Sequence, residues 1–188
     1  MKIYSWNLST VFSMMLLSVL ATDFSTGWIS RKHKKSLIFA VTATILSLAG
    51  LYAILHFTVL TRTPSDAHIF MLSLKPSSNE FVREMVMNAF LFFPFGLFLP
   101  YALDQAFALL ERHAAVRKHS ATRIPIFVTI AISFLLTIAI ESWQYYAGTG
   151  TAQLTDVICN TLGAAIGTLS FALFSHLQGT HRLGDGMN

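Results

Sequence analysis

Five long apolar runs separated by short polar segments constrain this chain more than any other feature of its sequence. They span roughly Leu8–Ile29, Ser36–Thr61, Glu80–Leu110, Ile124–Ala147 and Gln153–Leu177. Runs of about 20 apolar residues are long enough to cross a bilayer as helices, which satisfy their own backbone hydrogen bonds in lipid. The chain is 54% hydrophobic and 12% charged, whereas soluble domains carry about 25% charged residues. The sequence predicts an all-α fold, a polytopic transmembrane helical bundle of about five spans. It argues against a soluble enzyme and against nucleic acid as a partner.

The first apolar run admits two interpretations. It is either a retained span or a secretory signal peptide, with Lys2 before a short apolar core and Val19-Leu20-Ala21 as a small-residue cleavage site. Cleavage would place the basic cluster at residues 31–35 outside, against the positive-inside tendency. We favour the retained span.

Loop charge predicts the orientation of the bundle. Residues 31–35 and 111–123 each hold four Lys or Arg, residues 62–79 hold two, and residues 148–152 hold none. With the richer loops inside, the N-terminus lies outside and the C-terminus inside. Three regions follow: residues 1–35 with the first span and a basic cytoplasmic loop, a transmembrane core over residues 36–178, and a polar tail over residues 179–188.

Polar side chains of four predicted spans fall at a common depth. Arg62 ends the second run, Asn88 lies about two turns into the third, and Glu141 lies about 9 Å before the end of the fourth. Asp156 opens the fifth run, and Asn160 follows one turn deeper. Because buried ionisable groups in a membrane are costly, we expect these side chains to form one polar site in the outer half.

Helical spacing places several of these side chains on shared faces. Glu141 and Gln144 are three residues apart and therefore share a face of the fourth run. A second stripe, spaced four, three and four, comprises Asp156, Asn160, Gly163 and Gly167. Since small residues let membrane helices approach closely, this stripe should face the bundle interior.

The third run contains residues that are unfavourable or unusual in a lipid-embedded helix. Pro94 removes a backbone donor and should bend the helix. Gly96 allows a neighbouring backbone to come close, and the amide of Asn88 needs a hydrogen-bonding partner. We expect this helix to form one wall of the polar site.

Plain structural roles compete with the site hypothesis. Asn88 and Asn160 are equally well explained as hydrogen-bonded clamps between helices, and Gln144 as part of an interfacial belt. A carboxylate at Glu141, a turn below the interface, is hardest to explain that way. No activated nucleophile or metal-binding spacing is evident, and the lone Cys159 cannot form an internal disulfide. The sequence therefore indicates a binding site without catalytic residues, metal or cofactor.

Three blocks of the sequence resemble the VanZ-like family of bacterial integral membrane proteins. The first is Leu-Thr-Arg62, and the second is Asn88 followed by Phe-Phe-Pro94-Phe-Gly96. The third is Glu141-Ser-x-Gln144 with the later Asp156-to-Gly167 stripe. Members of the family often carry an arginine in the turn before the aspartate, and this chain has none between Gly148 and Gln153. If relatives bind an anion there, Arg62 or Arg83 is left to supply the contact.

The resemblance implies an inner-membrane protein linked to the cell envelope, in a family named for resistance to the glycopeptide teicoplanin. On this basis we expect a binding protein whose partner is a membrane lipid or lipid-linked envelope precursor. An intramembrane enzyme using Glu141 and Asp156, and a small ion-coupled transporter, are the alternatives. A carrier of this size would be expected to form a homo-oligomer.

Overall fold

A computed structural model describes residues 35–65, 68–72, 79–114 and 123–184. Its elements, in chain order, are α1 (Lys35–Leu55), a π-helical turn (His56–Leu60), β1 (Ile69–Met71), α2 (Asn79–Ala114), α3 (Arg123–Ala147), β2 (Thr151–Gln153) and α4 (Leu154–Gly184). The predicted first span lies outside the described residues. Helix α4 continues beyond the end of its apolar run into the predicted polar tail.

Four helical segments are long and apolar enough to cross a membrane in the described part of the chain. They are Ala40–Leu60, Phe81–Phe107, Ile124–Ala147 and Leu154–His176. They coincide with the second to fifth predicted spans, which confirms a helical fold with four candidate spans. The total of about five spans and the orientation stay predictions.

Helix α2 lies between the other helices, packing against α1, α3 and α4, and α3 also packs against α4. Large apolar side chains fill these contacts, with Phe92 and Leu97 of α2 fully buried. Other large apolar side chains point away from the bundle, and Leu135 and Leu169 are more than half exposed. An apolar outer surface is what a bundle surrounded by lipid tails requires.

Helices α2 and α4 approach each other at three glycines. A Cβ atom on Gly163 would overlap the carbonyl oxygen of Ala89, and one on Gly96 would overlap the backbone of Ala164. A Cβ on Gly167 would lie 2.7 Å from the backbone nitrogen of Leu97, closer than any side-chain carbon can sit. The two backbones are therefore in direct contact, as in other membrane helix pairs with small residues four apart.

A proline in α2 is compensated by a threonine in α4. Pro100 has no N–H, so the Gly96 carbonyl four residues earlier loses its helical donor. The hydroxyl of Thr168 lies 3.0 Å from that carbonyl oxygen and 2.8 Å from its own Ala164 carbonyl. Since an unpaired carbonyl is costly in lipid, this contact allows the helix to continue through Pro100.

The connections at one end of the bundle form a small sheet that the sequence analysis did not predict. Strands β1 and β2 pair in parallel, with Phe70 opposite Ala152. Gly148 has φ 61°, which side-chain-bearing residues rarely adopt, and its carbonyl accepts bonds from the Ser65 amide at 2.7 Å and hydroxyl at 2.8 Å. The segment after Arg62 is thereby held against the α3–α4 turn.

Candidate functional site

The side chain of Gln144 joins α3 to the end of α1. Its Nε2 donates to the carbonyl oxygen of Thr58 at 3.0 Å. Thr58 lies in the π-helical turn, near the helix end, where carbonyls lack intrahelical donors. Gln144 is only 1% exposed, and its Oε1 has no hydrogen-bond partner among the residues that the structure describes. This amide therefore ties two elements together and still leaves a buried acceptor open.

The carboxylate of Glu141 lies one turn deeper on the same face of α3. It is 6% exposed, and its Oε2 accepts the backbone N–H of Gln153 at 2.8 Å. Gln153 closes β2 directly before α4 begins. Glu141 thus fixes the α3–α4 turn from inside the bundle.

Asp156 and Asn88 connect α4 to α2. The Asn88 side chain hydrogen-bonds the Asp156 carboxyl, and Glu141 lies close enough to interact with Asp156 electrostatically. Asp156 occupies the first turn of α4, where the helix dipole favours a negative charge. This acidic side chain therefore has both a helix end and an amide to stabilise it.

Arg62 brings a positive charge to this group from the segment after α1. Its guanidinium interacts electrostatically with both Glu141 and Asp156. It lies directly against Gly150, where any Cβ atom would overlap it. Arg62 is exposed at the bundle end. The turn between Gly148 and Gln153 has no basic residue of its own, and Arg62 from the segment after α1 lies against it.

Asn160 lies one turn below Asp156 and reaches α3. Its Nδ2 donates to the hydroxyl oxygen of Thr137 at 2.8 Å. Both residues are almost fully buried, and the Oδ1 of Asn160 has no hydrogen-bond partner. The predicted clamp role fits the Thr137 contact, but a clamp alone leaves this second acceptor unexplained.

Hydrogen bonding or electrostatic interaction links four of the six side chains predicted as a site, and the other two lie one helical turn from Glu141 and Asp156. We refer to all six as the polar cluster, which comprises Arg62, Asn88, Glu141, Gln144, Asp156 and Asn160. Pro94, Gly96, Gly163 and Gly167 belong instead to α2 and its crossing with α4. Across the described residues, no group of three or more His, Cys, Asp or Glu side chains has the arrangement of a metal site.

Sequence reasoning missed several partners of the polar cluster. The Gln153 and Thr58 contacts use backbone groups, which every residue type carries. Two other partners could have been suspected from their positions in the sequence. Thr137 lies four residues before Glu141, on the same helix face, and Gly150 lies in a turn of small residues. Neither feature distinguishes a site residue from ordinary helix and turn sequence.

Comparison with protein families assigns the chain to a family. The VanZ/LLP1 family model matches residues 8–175, which cover nearly the whole chain. The chain belongs to the VanZ/LLP1 family. The resemblance predicted from the three sequence blocks is confirmed, and all six polar-cluster residues lie inside the matched region of this VanZ/LLP1 protein. No curated protein and no solved structure matches the chain. Family membership and four apolar helices together indicate a membrane protein.

Proposed function

We propose that this VanZ/LLP1 protein binds the head group of a membrane lipid or lipid-linked envelope precursor in its polar cluster. The cluster faces outside from the inner membrane of a bacterial cell. Binding alters envelope properties, including sensitivity to glycopeptide antibiotics of the teicoplanin type.

One observation carries this proposal. The polar cluster holds two carboxyl groups and a guanidinium at the end of an apolar bundle, and two of its amide oxygens are buried without a partner. Leaving a buried acceptor unpaired costs about 1–3 kcal/mol. In the polar cluster two such acceptors, Gln144 Oε1 and Asn160 Oδ1, lie close to charged side chains. A ligand with polar groups would satisfy them.

The location of the polar cluster favours a head group over a small soluble molecule. The cluster lies where α1 and α3 end and where α4 begins, so it sits at the depth at which lipid head groups meet acyl chains. Trp143 and Tyr146 of α3 are more than half exposed at the same level, as is common for side chains at a membrane interface.

Loop charge supports an outward orientation for this end. The connections at the polar-cluster end hold two Lys or Arg in residues 62–79 and none in residues 148–152, against four in residues 111–123. Cysteine labelling in a Cys159→Ala background checks the orientation. A cysteine at Ser65 should react with an impermeant maleimide in intact cells, whereas one at Arg117 should react only after lysis.

Lipid retention tests the binding function. The full chain, purified in mild detergent, should retain native lipids in native mass spectra, and Glu141→Gln should lose most of them. Asp104→Asn is the control, since it also neutralises a carboxylate but lies towards the other end of α2. Equal retention in wild type and Glu141→Gln, with wild-type thermal stability, would refute binding in the polar cluster.

Deletion of the gene tests the cellular role. We expect changed susceptibility to teicoplanin, restored by wild type but not by Asn88→Leu present in the membrane at normal levels. Asn88→Leu removes the amide that holds Asp156. Unchanged teicoplanin, vancomycin and envelope-stress responses in the deletion strain would count against the envelope role.

A further inference from the structure

Two buried side-chain atoms of the polar cluster have no hydrogen-bond partner among the described residues, and both are amide oxygens. Amide oxygens and ionised carboxylates only accept hydrogen bonds. The two unpartnered amide oxygens belong to side chains that are 1% and 2% exposed, Gln144 and Asn160. The orientation of the Gln144 amide is fixed, because its partner is the Thr58 carbonyl, which can only accept a hydrogen bond. The Thr137 hydroxyl can donate or accept, so it does not fix the Asn160 amide in the same way. A ligand that satisfies Gln144 Oε1 must therefore bring a donor.

The charges of the site point to a cationic donor. Glu141 and Asp156 interact with one guanidinium, that of Arg62, and the carboxylate of Glu84 is also close enough to affect Asp156. Three carboxyl groups against one guanidinium favour a positively charged group over an anion or a neutral polyol.

The positions of Arg62 and Gln144 give the ligand a second requirement. The guanidinium of Arg62 lies against Gly150, and Gln144 Oε1 lies 3.4 Å from the point that a Gly150 Cβ would occupy. A positive group and an unpaired acceptor thus meet over the same turn. A ligand with a negative group directly beside its donors would match both, because Arg62 is exposed enough to bind the negative group.

We propose that the polar cluster recognises a primary ammonium joined through a short linker to a phosphate, as in a phosphoethanolamine head group. The ammonium donates to Gln144 Oε1 and to the carboxyl groups of Glu141 and Asp156, and the phosphate binds Arg62. This inference rests on the proposed function, whose ligand class it narrows from any envelope head group to one bearing N–H donors.

Matched lipids test the inference on the wild-type protein. The full chain is reconstituted in nanodiscs of phosphatidylcholine containing a small fraction of phosphatidylethanolamine, phosphatidylglycerol or neither, and bound lipid is counted by native mass spectrometry. Phosphatidylcholine has the same charges as phosphatidylethanolamine but no N–H donors. Since charge-assisted hydrogen bonds are the strong ones, we expect phosphatidylethanolamine to bind at least about tenfold more tightly than phosphatidylcholine.

Variants place the preference in the polar cluster. Glu141→Gln and Asp156→Asn should each reduce the preference for phosphatidylethanolamine, whereas Asp104→Asn should keep it. If either site variant fails to fold, the comparison of lipids on the wild-type protein still tests whether an ammonium with N–H donors is preferred. A preference unchanged in both folded site variants would overturn the assignment.

The other outcomes separate this inference from the proposed function. Equal binding of phosphatidylethanolamine and phosphatidylcholine, or stronger binding of phosphatidylglycerol, would overturn the ammonium inference and leave head-group binding standing. Absence of any retained lipid would refute both. Displacement of the lipid by soluble phosphoethanolamine would support ammonium–phosphate recognition, and its failure to compete would assign recognition to the membrane-anchored form.

Discussion

Helix α4 contacts its two neighbours in different ways. Towards α2 it presents glycine and threonine, so that the backbones touch at Gly163 and the hydroxyl of Thr168 bonds the Gly96 carbonyl. Towards α3 it presents polar side chains, and Asn160 donates to Thr137. At the bundle end the Asn88 side chain of α2 also hydrogen-bonds Asp156. Deeper in the bundle the α2 face is joined by backbone contact and a hydroxyl–carbonyl bond, whereas the α3 face is joined by a hydrogen bond between two side chains.

The difference is clearest in the hydroxyl groups on the two sides. Thr168 of α4 and Thr129 and Ser133 of α3 are all fully buried. The Thr168 hydroxyl shares its one hydrogen between two carbonyls, whereas the hydroxyls of Thr129 and Ser133 have no partner in the described part of the chain. The α2–α4 contact thus holds two backbones together, whereas α3 carries two buried hydroxyls that have no hydrogen-bond partner among the described residues.

Gly163→Val should have the largest effect, because it attacks the backbone contact directly. The new side chain would overlap the Ala89 carbonyl and force α2 and α4 apart. Overpacking in a core costs about 1–3 kcal/mol and sometimes more. We expect a large loss of thermal stability in detergent, or failure to accumulate in the membrane.

The neighbouring Leu162→Val is the control for Gly163→Val. Leu162 is 54% exposed on the outer face of α4, so the same new side chain should change stability little. If both variants unfolded at the wild-type temperature, close contact between α2 and α4 at Gly163 would be excluded.

Thr168→Val should have the next largest effect on stability. Valine keeps the shape of threonine but leaves the Gly96 carbonyl, already deprived of its helical donor by Pro100, without a partner. Interhelical hydrogen bonds in membranes contribute about 0.6 kcal/mol on average and up to about 1.7, and we expect the upper part of that range. Free energies of unfolding in mixed micelles measure it.

Thr44→Val provides the comparison for Thr168→Val. The Thr44 hydroxyl is exposed and bonds only its own helix, through the Ala40 carbonyl at 2.8 Å. Its loss should leave the free energy of unfolding nearly unchanged. A similar loss in both variants would show that the Gly96 contact adds nothing beyond a local bond.

The polar side of this comparison was largely predictable from sequence, because lipid makes polar residues conspicuous. Glu141, Asp156 and Asn160 stand out in apolar runs, and helix spacing assigned their faces. Loop positions then placed them at one depth. In the structure Glu141 and Asp156 interact with Arg62, whereas Asn160 bonds Thr137. Their role as a ligand site stays a prediction.

The partners of those residues were not predictable in the same way. The Gln153 N–H and the Thr58 carbonyl are backbone groups, which leave no mark in a sequence. Strands of three residues such as β1 are too short to show an alternating pattern. Thr137 looked like an ordinary residue of an apolar helix, since threonine commonly bonds its own backbone there.

Asn160→Leu sharpens the α3 side of the comparison. It removes the bond to Thr137 but also removes an unpaired buried acceptor, so the two effects on stability should nearly cancel. We expect a change of at most about 1 kcal/mol in the free energy of unfolding. The variant should lose most of its retained lipid even though its free energy of unfolding is almost unchanged. Wild-type retention would instead assign Asn160 to packing alone.

Thr129→Val should have the smallest effect and the opposite sign. Its hydroxyl is buried without a partner, so replacing it with a methyl group removes an unpaired polar group at almost constant shape. Such a change is expected to be neutral or stabilising by up to about 1 kcal/mol. Thr58→Val is the matched control, because the Thr58 hydroxyl is also buried but bonds the Ile54 carbonyl at 2.7 Å. The free energy of unfolding should therefore be higher for Thr129→Val than for Thr58→Val. If Thr129→Val were as damaging as Thr168→Val, the α3 hydroxyls would have partners of their own, and the contrast between the two faces of α4 would disappear.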